Sequence, residues 1–177
     1  MNLIMPVYVV LAATDLFYAK VLRWLMGSKY NHAMLVFFDE LWEAWWAVEV
    51  DERGVRLAPL DSLKKRSGEY VVYVPEGNMY CGMRAMLPYI GKKYDWKALL
   101  NGLWLYFRRK FTGRTDLEKF ESVSRYMCSE FVTEFLQKAD VKGTANHVPS
   151  LTSPAMLQEH FESSEAFVHV QNPPFEL

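Results

Sequence analysis

Strand-forming and helix-forming segments are largely separated along this chain, with most of the strands in its first half. Apolar runs over Val7–Ala13, His32–Phe38 and Trp42–Val50 are rich in the β-branched and aromatic residues that strands favour. Shorter strand candidates are 55–58, 70–74 and 166–170, and apolar spacing predicts helices over 15–26, 78–89, 95–111, 127–139 and 154–160. This order is typical of an α+β fold, with a mostly antiparallel sheet packed against helices.

Size and charge exclude several classes of protein. The 177 residues fit one domain, 1–177, and 20 Lys and Arg against 21 Asp and Glu leave a net charge of −1, so we expect no nucleic-acid partner. Cys81 and Cys128 stand far apart and the four histidines are scattered, with no CxxC or HExxH motif. We therefore expect neither a disulfide framework nor a structural zinc site. We also expect no metal or organic cofactor.

The apolar N-terminal segment is too short to cross a membrane. It ends at Asp15, well before the roughly 20 apolar residues that a membrane-spanning helix needs, and it lacks the basic leader of a signal peptide. We interpret it as a buried strand and expect cytoplasmic synthesis, with the compartment of action left open.

Cys128 is the candidate nucleophile. The segment YMCSEFVTEF predicts a helix that begins at about this cysteine and buries Phe131 and Phe135. A thiol in a first helical turn lies at the positive end of the helix dipole, which favours its thiolate. The alternative is that Cys128 is a small buried apolar residue, as cysteines near aromatic residues often are.

His32 and Glu49 are the candidate partners of this thiol. If Asp39–Trp42 is a four-residue turn, Phe38 lies opposite Glu43 and His32 opposite Glu49, on one face of the hairpin. Glu49 stands among tryptophan and valine, where a carboxylate is costly to bury without a partner. The alternative for His32 is an exposed turn histidine. Thiol, imidazole and carboxylate together form the nucleophile, base and orienting group of cysteine hydrolases.

The other titratable candidates fit this chemistry less well. His147, in the loop TANHVPS, is an alternative base, but it has no carboxylate opposite. We expect His160 and His169 to be surface or satisfied polar residues, Cys81 to lie in the core, and the turn pair Asp51–Glu52 to be solvated.

Four segments of the chain resemble a known family. GSKYNHAMLVF, AVEV, YMCSEFV and SPAML are similar to the permuted papain-like hydrolases of the NlpC superfamily, in particular its YiiX/YebB-like group. In that permuted group the histidine precedes the cysteine in sequence, as His32 precedes Cys128. The resemblance runs from about Val7 to His160.

This resemblance implies a circularly permuted papain-like fold, with Cys128 as nucleophile, His32 as base and Glu49 as orienting acid. GKKYDW at Gly91–Trp96 resembles the family's G-x-x-Y-D stretch, which makes Tyr94 a substrate or oxyanion contact. Two departures bear on substrate access: MPVYVV replaces the usual Gly-Asp opening of the first strand, and Met34 stands where the family often has glycine.

Three functions follow as hypotheses. The first is a cysteine hydrolase, an amidase, peptidase or esterase, that acts on a cell-wall peptide or on an N-acyl or lipid acyl group through a thioester. The second is an acyltransferase of the lecithin-retinol acyltransferase kind, and the third is a non-catalytic binding domain.

The stretch ALLNGLWLYF followed by RRKF suggests peripheral membrane contact through Leu99–Arg109. The alternative is a buried helix whose last turn carries cations because they suit a helix C-terminus.

Overall fold

A six-stranded antiparallel sheet forms the centre of the structure, a computed structural model that describes residues 6–14, 20, 23, 28–64, 67–94 and 125–177. The strands are β1 Val7–Thr14, β2 His32–Asp39, β3 Ala44–Asp51, β4 Gly54–Pro59, β5 Ser67–Pro75 and β8 Phe167–Val170. The strand order is β4-β3-β2-β1-β5-β8, and every neighbouring pair is antiparallel.

Helices cover one face of this sheet. Those within the described residues are α1 Met79–Met86, α2 Cys128–Lys138 and α3 Pro154–Ser163. Single 3₁₀ turns lie at 60–62, 87–89, 144–146 and 149–151. Strands β6 Lys93–Tyr94 and β7 Arg125–Tyr126 form a small parallel pair. The α+β prediction with a mostly antiparallel sheet is confirmed. None of the helices in these ranges is long and apolar enough to cross a bilayer.

Both faces of the central strands are buried, which explains why β1 is apolar at nearly every position. On the helical face, Leu11 and Leu35 belong to the same core as Phe131 and Phe135 of α2. On the other face, the 3₁₀ turn at 60–62 and the C-terminal tail contribute to a second core. Its buried members include Val10, Met34, Val36, Leu60, Leu63 and Phe175. A strand buried on two sides needs continuous rather than alternating hydrophobicity.

Helix α2 begins at Cys128 because the residue before it leaves the helical conformation. Met127 is extended, and its N–H donates to the Glu130 side chain at 3.1 Å, which places an acidic group in the first turn, where the helix dipole favours it. The sequence prediction of a helix over 127–139 is thus correct to within one residue at each end.

Helix α1 follows the predicted pattern at its start and its end. The Asn78 side chain accepts a hydrogen bond from the N–H of Cys81 at 3.1 Å, and Pro88 lies in a 3₁₀ turn that ends the segment. Cys81 itself is exposed, so its prediction as a core residue was wrong. Gly82 instead faces α2, since a Cβ there would lie 2.8 Å from the Phe135 ring.

The β2–β3 hairpin differs from the predicted register by two residues. The Asp39 carboxylate accepts the N–H groups of Leu41 and Trp42, both at 3.0 Å, so β2 extends through Asp39 and the turn lies at 40–43. As a result Phe38 lies opposite Trp45 rather than Glu43. Two of the predicted helices fall mostly or wholly outside the described residues, 15–26 and 95–111.

Two glycines with positive φ allow a direct test of the packing between β4 and β6. Gly54 has φ +110°, and a Cβ there would lie 2.0 Å from the carbonyl oxygen of Lys92; Gly91 has φ +89° with open space around it. We expect Gly54→Ala to lower the free energy of unfolding by roughly 2–4 kcal/mol and Gly91→Ala by only about 1 kcal/mol. Urea denaturation measures both, and equal losses would contradict this packing.

Candidate active site

The Cys128 thiol lies at the first residue of α2, 8% exposed and close to the start of β2. Its Sγ is 4.0 Å from the carbonyl oxygen of Asn31, and the backbone N–H groups of Ala33 and Ser129 hydrogen-bond to the sulfur. The hydroxyl of Ser129 donates to the carbonyl of Thr152 at 2.6 Å, which ties this end of the helix to the segment before α3. The thiol is therefore surrounded by backbone donors that favour its charged form.

His32 and Glu49 are hydrogen-bonded to each other. The distance from His32 Nε2 to Glu49 Oε2 is 2.9 Å, and Glu49 is only 4% exposed. Glu49 lies directly opposite Met34, so it is diagonal to His32 rather than opposite as predicted. A shift of two residues keeps side chains on the same sheet face, which is why the predicted contact exists although the predicted register does not.

His32 also hydrogen-bonds to the Cys128 side chain. Since Glu49 binds Nε2, Nδ1 is the ring nitrogen left for the thiol. Burial opposes the charged imidazolium, but hydrogen bonds to and charges on Cys128 and Glu49 outweigh it and raise the pKa of His32 to about 10.

The pKa of Cys128 moves in the opposite direction. Burial alone would raise it, yet the hydrogen bond and positive charge of His32, together with the N–H groups of Ala33 and Ser129, lower the pKa of the thiol below its usual value. The two shifts favour a thiolate–imidazolium pair at neutral pH.

Arg56 completes the polar group and was missed in the sequence. It lies directly opposite Glu49 on β4, and its guanidinium donates to Glu49 Oε1. Its Nε lies 2.9 Å from Asp51 Oδ2, so the two side chains form an ion pair. The Nε–H does not point at this oxygen, so the contact is not a hydrogen bond. The Asp51 side chain is 9% exposed and Glu52 is exposed, so the prediction that this pair is solvated was wrong for Asp51 and correct for Glu52.

A sequence signal for Arg56 existed in the second hairpin. A two-residue turn at Glu52 and Arg53 places Glu49 opposite Arg56, as the observed register shows. The charge of Arg56 acts on Glu49: burial would raise the pKa of this carboxyl, but His32 and Arg56 lower it. Glu49 therefore stays ionised in an apolar setting.

The backbone of Tyr94 lies near the segment that leads into the nucleophile. It pairs in the β6–β7 ladder with Tyr126, two residues before Cys128. Its role as a substrate or oxyanion contact stays a prediction.

His147 lies toward the other end of α2. Its carbonyl accepts from Gln137 Nε2 at 2.8 Å, and Gln137 is nine residues beyond Cys128, about 14 Å along the helix. Its ring packs against His160, with centroids 4.5 Å apart. His160 Nε2 is buried without a hydrogen-bond partner among the described residues, so His160 is not the satisfied polar residue that we expected. Burial, and then the charge of His147, lower the pKa of His160.

The segment proposed for membrane contact, Leu99–Arg109, lies outside the described residues, and this contact stays a prediction.

Comparison with known proteins supports the fold. No model of a known protein family matches the sequence, and no curated protein matches it. The crystal structure of YiiX from Escherichia coli O157:H7 is similar, with a TM-score of 0.54 and 16% identity over 95% of this chain and 97% of that one. At this identity the likeness is one of fold, and the chain has a YiiX-like α+β fold.

YiiX is described as a metalloprotein. In the part of this chain that the structure describes, no three His, Cys, Asp or Glu side chains are grouped to hold a metal ion. Glu49 is also bound on both oxygens, by Arg56 and His32. The residues around Cys128 therefore do not fit such a metal centre.

The two thiols allow a test of the ion pair. We expect iodoacetamide to alkylate buried Cys128 at least about tenfold faster than exposed Cys81 at neutral pH, because the thiolate is the reactive species. Peptide mass spectrometry measures both rates. Accessibility alone predicts the reverse order, and that order would rule out an activated Cys128.

Proposed function

We propose that this chain is a cysteine hydrolase of amide or ester bonds, with the mechanism of the permuted papain-like enzymes of the NlpC superfamily. The observation that carries the proposal is a pair of linked contacts at the start of α2. Cys128 is hydrogen-bonded to His32, whose other ring nitrogen is 2.9 Å from Glu49. A nucleophile, a base and an orienting carboxylate in this order are what acyl transfer by a thiol requires.

The first step is attack by the Cys128 thiolate on the substrate carbonyl carbon. A carbon–sulfur bond forms, and the carbonyl π electrons move to the oxygen. The Cys128 backbone N–H, one of the first-turn donors that have no partner within a helix, stabilises this oxyanion together with the positive end of α2.

The second step breaks the bond to the leaving group. The electron pair returns from the oxyanion, the carbon–nitrogen or carbon–oxygen bond breaks, and His32 donates its proton to the departing amine or alcohol. The neutral imidazole then takes a proton from water, and the resulting attack on the thioester releases the carboxylic acid and restores the thiolate.

Glu49 and Arg56 support His32 without touching the reacting atoms. Glu49 orients the imidazole and stabilises its positive charge. Arg56 is a positioning residue, since it binds the Glu49 oxygen that His32 leaves free. A carboxylate held on both oxygens has little freedom to rotate, which fixes the direction of the ring.

The substrate is a cell-wall peptide or an N-acyl or lipid acyl group. An acyltransferase would form the same acyl-enzyme but pass the acyl group to an acceptor other than water. Mass spectrometry of the acyl group on Cys128, after incubation with cell-envelope and lipid extracts, identifies the substrate. Analysis of the released product separates hydrolysis from transfer.

We expect the three site residues to differ in their effect on hydrolysis of an activated ester such as a p-nitrophenyl ester. Cys128→Ala removes the covalent bond and abolishes turnover, and His32→Ala nearly matches it, because a thiol without its base attacks poorly. His147→Ala is the matched control and keeps wild-type activity. If His147→Ala is inactive and His32→Ala active, the base is misassigned; if Cys128→Ala retains full activity, the proposal fails.

Glu49→Gln should change the pH dependence as well as the rate. We expect kcat/KM to fall by about one to four orders of magnitude. The imidazolium must donate a proton, so wild-type activity falls as the pH rises through the His32 pKa of about 10. Loss of the carboxylate destabilises the imidazolium, so this alkaline limb moves to lower pH in Glu49→Gln. A pH–rate profile measures it, and an unmoved limb would contradict the role of Glu49.

A further inference from the structure

A second feature lies at the same end of the sheet as Cys128. A cleft of about 540 Å³ opens between α3 and the strands β5 and β8, which is within the usual size of a ligand pocket. We call it the tyrosine cleft, and its lining includes Lys29, Tyr30, Val71, Tyr73, Gln158 and Glu162.

Strand register places the tyrosine cleft within reach of the nucleophile. Leu11 of β1 pairs with Ala33 on one side and with Val71 on the other. The Ala33 N–H binds the Cys128 sulfur, so Val71 is two strand spacings, roughly 10 Å, from that point. About three extended residues span this distance.

Tyr30 connects the two places. It lines the cleft, and it directly precedes Asn31, whose carbonyl oxygen is 4.0 Å from Cys128 Sγ. Tyr30 is 5% exposed and belongs to the same core as Cys128. Tyr30 is therefore shared by the lining of the cleft and by the core that contains Cys128.

The chemistry of the lining is aromatic and polar together. Tyr73 packs against Phe161 and His169, with ring centroids 5.1 and 5.5 Å apart. On α3, Gln158 Nε2 donates to Glu162 Oε1 at 2.8 Å. Burial, with the negative charge of Glu162, raises the pKa of Tyr73 to about 12, so its hydroxyl stays protonated and can donate.

We propose that the tyrosine cleft binds an amide-bearing, peptide-like segment of the substrate, adjacent to the bond that Cys128 attacks. This inference rests on the proposed function and narrows its substrate class. Aromatic faces, an amide and a carboxylate match the alternating apolar and hydrogen-bonding groups of a peptide. A long alkyl chain in the same cleft would desolvate the Gln158 and Glu162 side chains without replacing their hydrogen bonds to water.

Three probes that share the same reactive iodoacetyl group test the substrate class: iodoacetamide, an iodoacetyl dipeptide amide and N-dodecyl iodoacetamide. We expect the dipeptide probe to label Cys128 at least about tenfold faster than iodoacetamide, an advantage of about 1.4 kcal/mol, with no such advantage for the dodecyl probe. With Cys128 reactive, a tenfold advantage for the dodecyl probe, or none for the dipeptide, would overturn the proposal.

Two substitutions of Gln158, and a control substitution at the next residue of α3, locate the effect. Gln158→Trp fills the cleft and should lower the ratio of dipeptide to iodoacetamide labelling about tenfold, and Gln158→Ala, which only removes the amide, should lower it severalfold. The matched control is Glu159→Trp on the exposed side of the same helix, which should leave the ratio unchanged. A ratio that is the same in all three variants and the wild type would show that the dipeptide binds elsewhere.

Binding to Cys128→Ala separates this proposal from the catalytic one. We expect an N-acetyl dipeptide amide to shift the ring resonances of Tyr30 and Tyr73 in NMR spectra, and Gln158→Trp to abolish the shift. If this binding is seen while wild-type Cys128 is inert to all three probes, the cleft binds a peptide but the hydrolase proposal falls, and with it the role of the cleft as a substrate site. If Cys128 is reactive but no shift occurs, the hydrolase proposal stands and the cleft proposal falls.

Discussion

The site depends on a series of paired charges in which each member stabilises the next. Asp51 pairs with Arg56, Arg56 with Glu49, Glu49 with His32, and His32 with Cys128. A carboxylate as buried as Glu49 is costly alone, and two cationic partners offset that cost. Because its folded-state pKa is depressed, these pairs stabilise the fold above the ordinary glutamate pKa, and the stabilisation is lost as the pH falls through the folded value.

The sheet confines this chemistry to its ends. The central strands are apolar on both faces, so polar side chains gather where β2 begins and where the β3–β4 hairpin turns. Helix α2 brings its N-terminus to the same end of the strands, which places the dipole, the thiol and the imidazole together. The tyrosine cleft opens at this end as well, on β5, which is two strands away from β2 in the sheet.

The sequence predicted the hydrogen bond between His32 and Glu49 from an incorrect register. Asp39, the last residue of β2, accepts hydrogen bonds from two backbone N–H groups of the turn, and local propensity did not reveal this end of the strand. The error was two residues, so side-chain parity survived. Cys81 illustrates a different failure: apolar neighbours suggested burial, but only the packing of α1 on α2 decides which side of the helix is covered.

The sequence by itself determined the order of the six strands of the main sheet and of α1 to α3, the start of α2 at Cys128 and the pairing of His32 with Glu49. These follow from local periodicity, helix capping and strand parity, which act over short separations in the chain. Tertiary structure alone brought Cys128 to His32, 96 positions apart. It also decided the ion pair of Asp51 with Arg56 and the formation of the tyrosine cleft. Contacts between distant segments depend on how the helices lie on the sheet, and no local pattern encodes that packing.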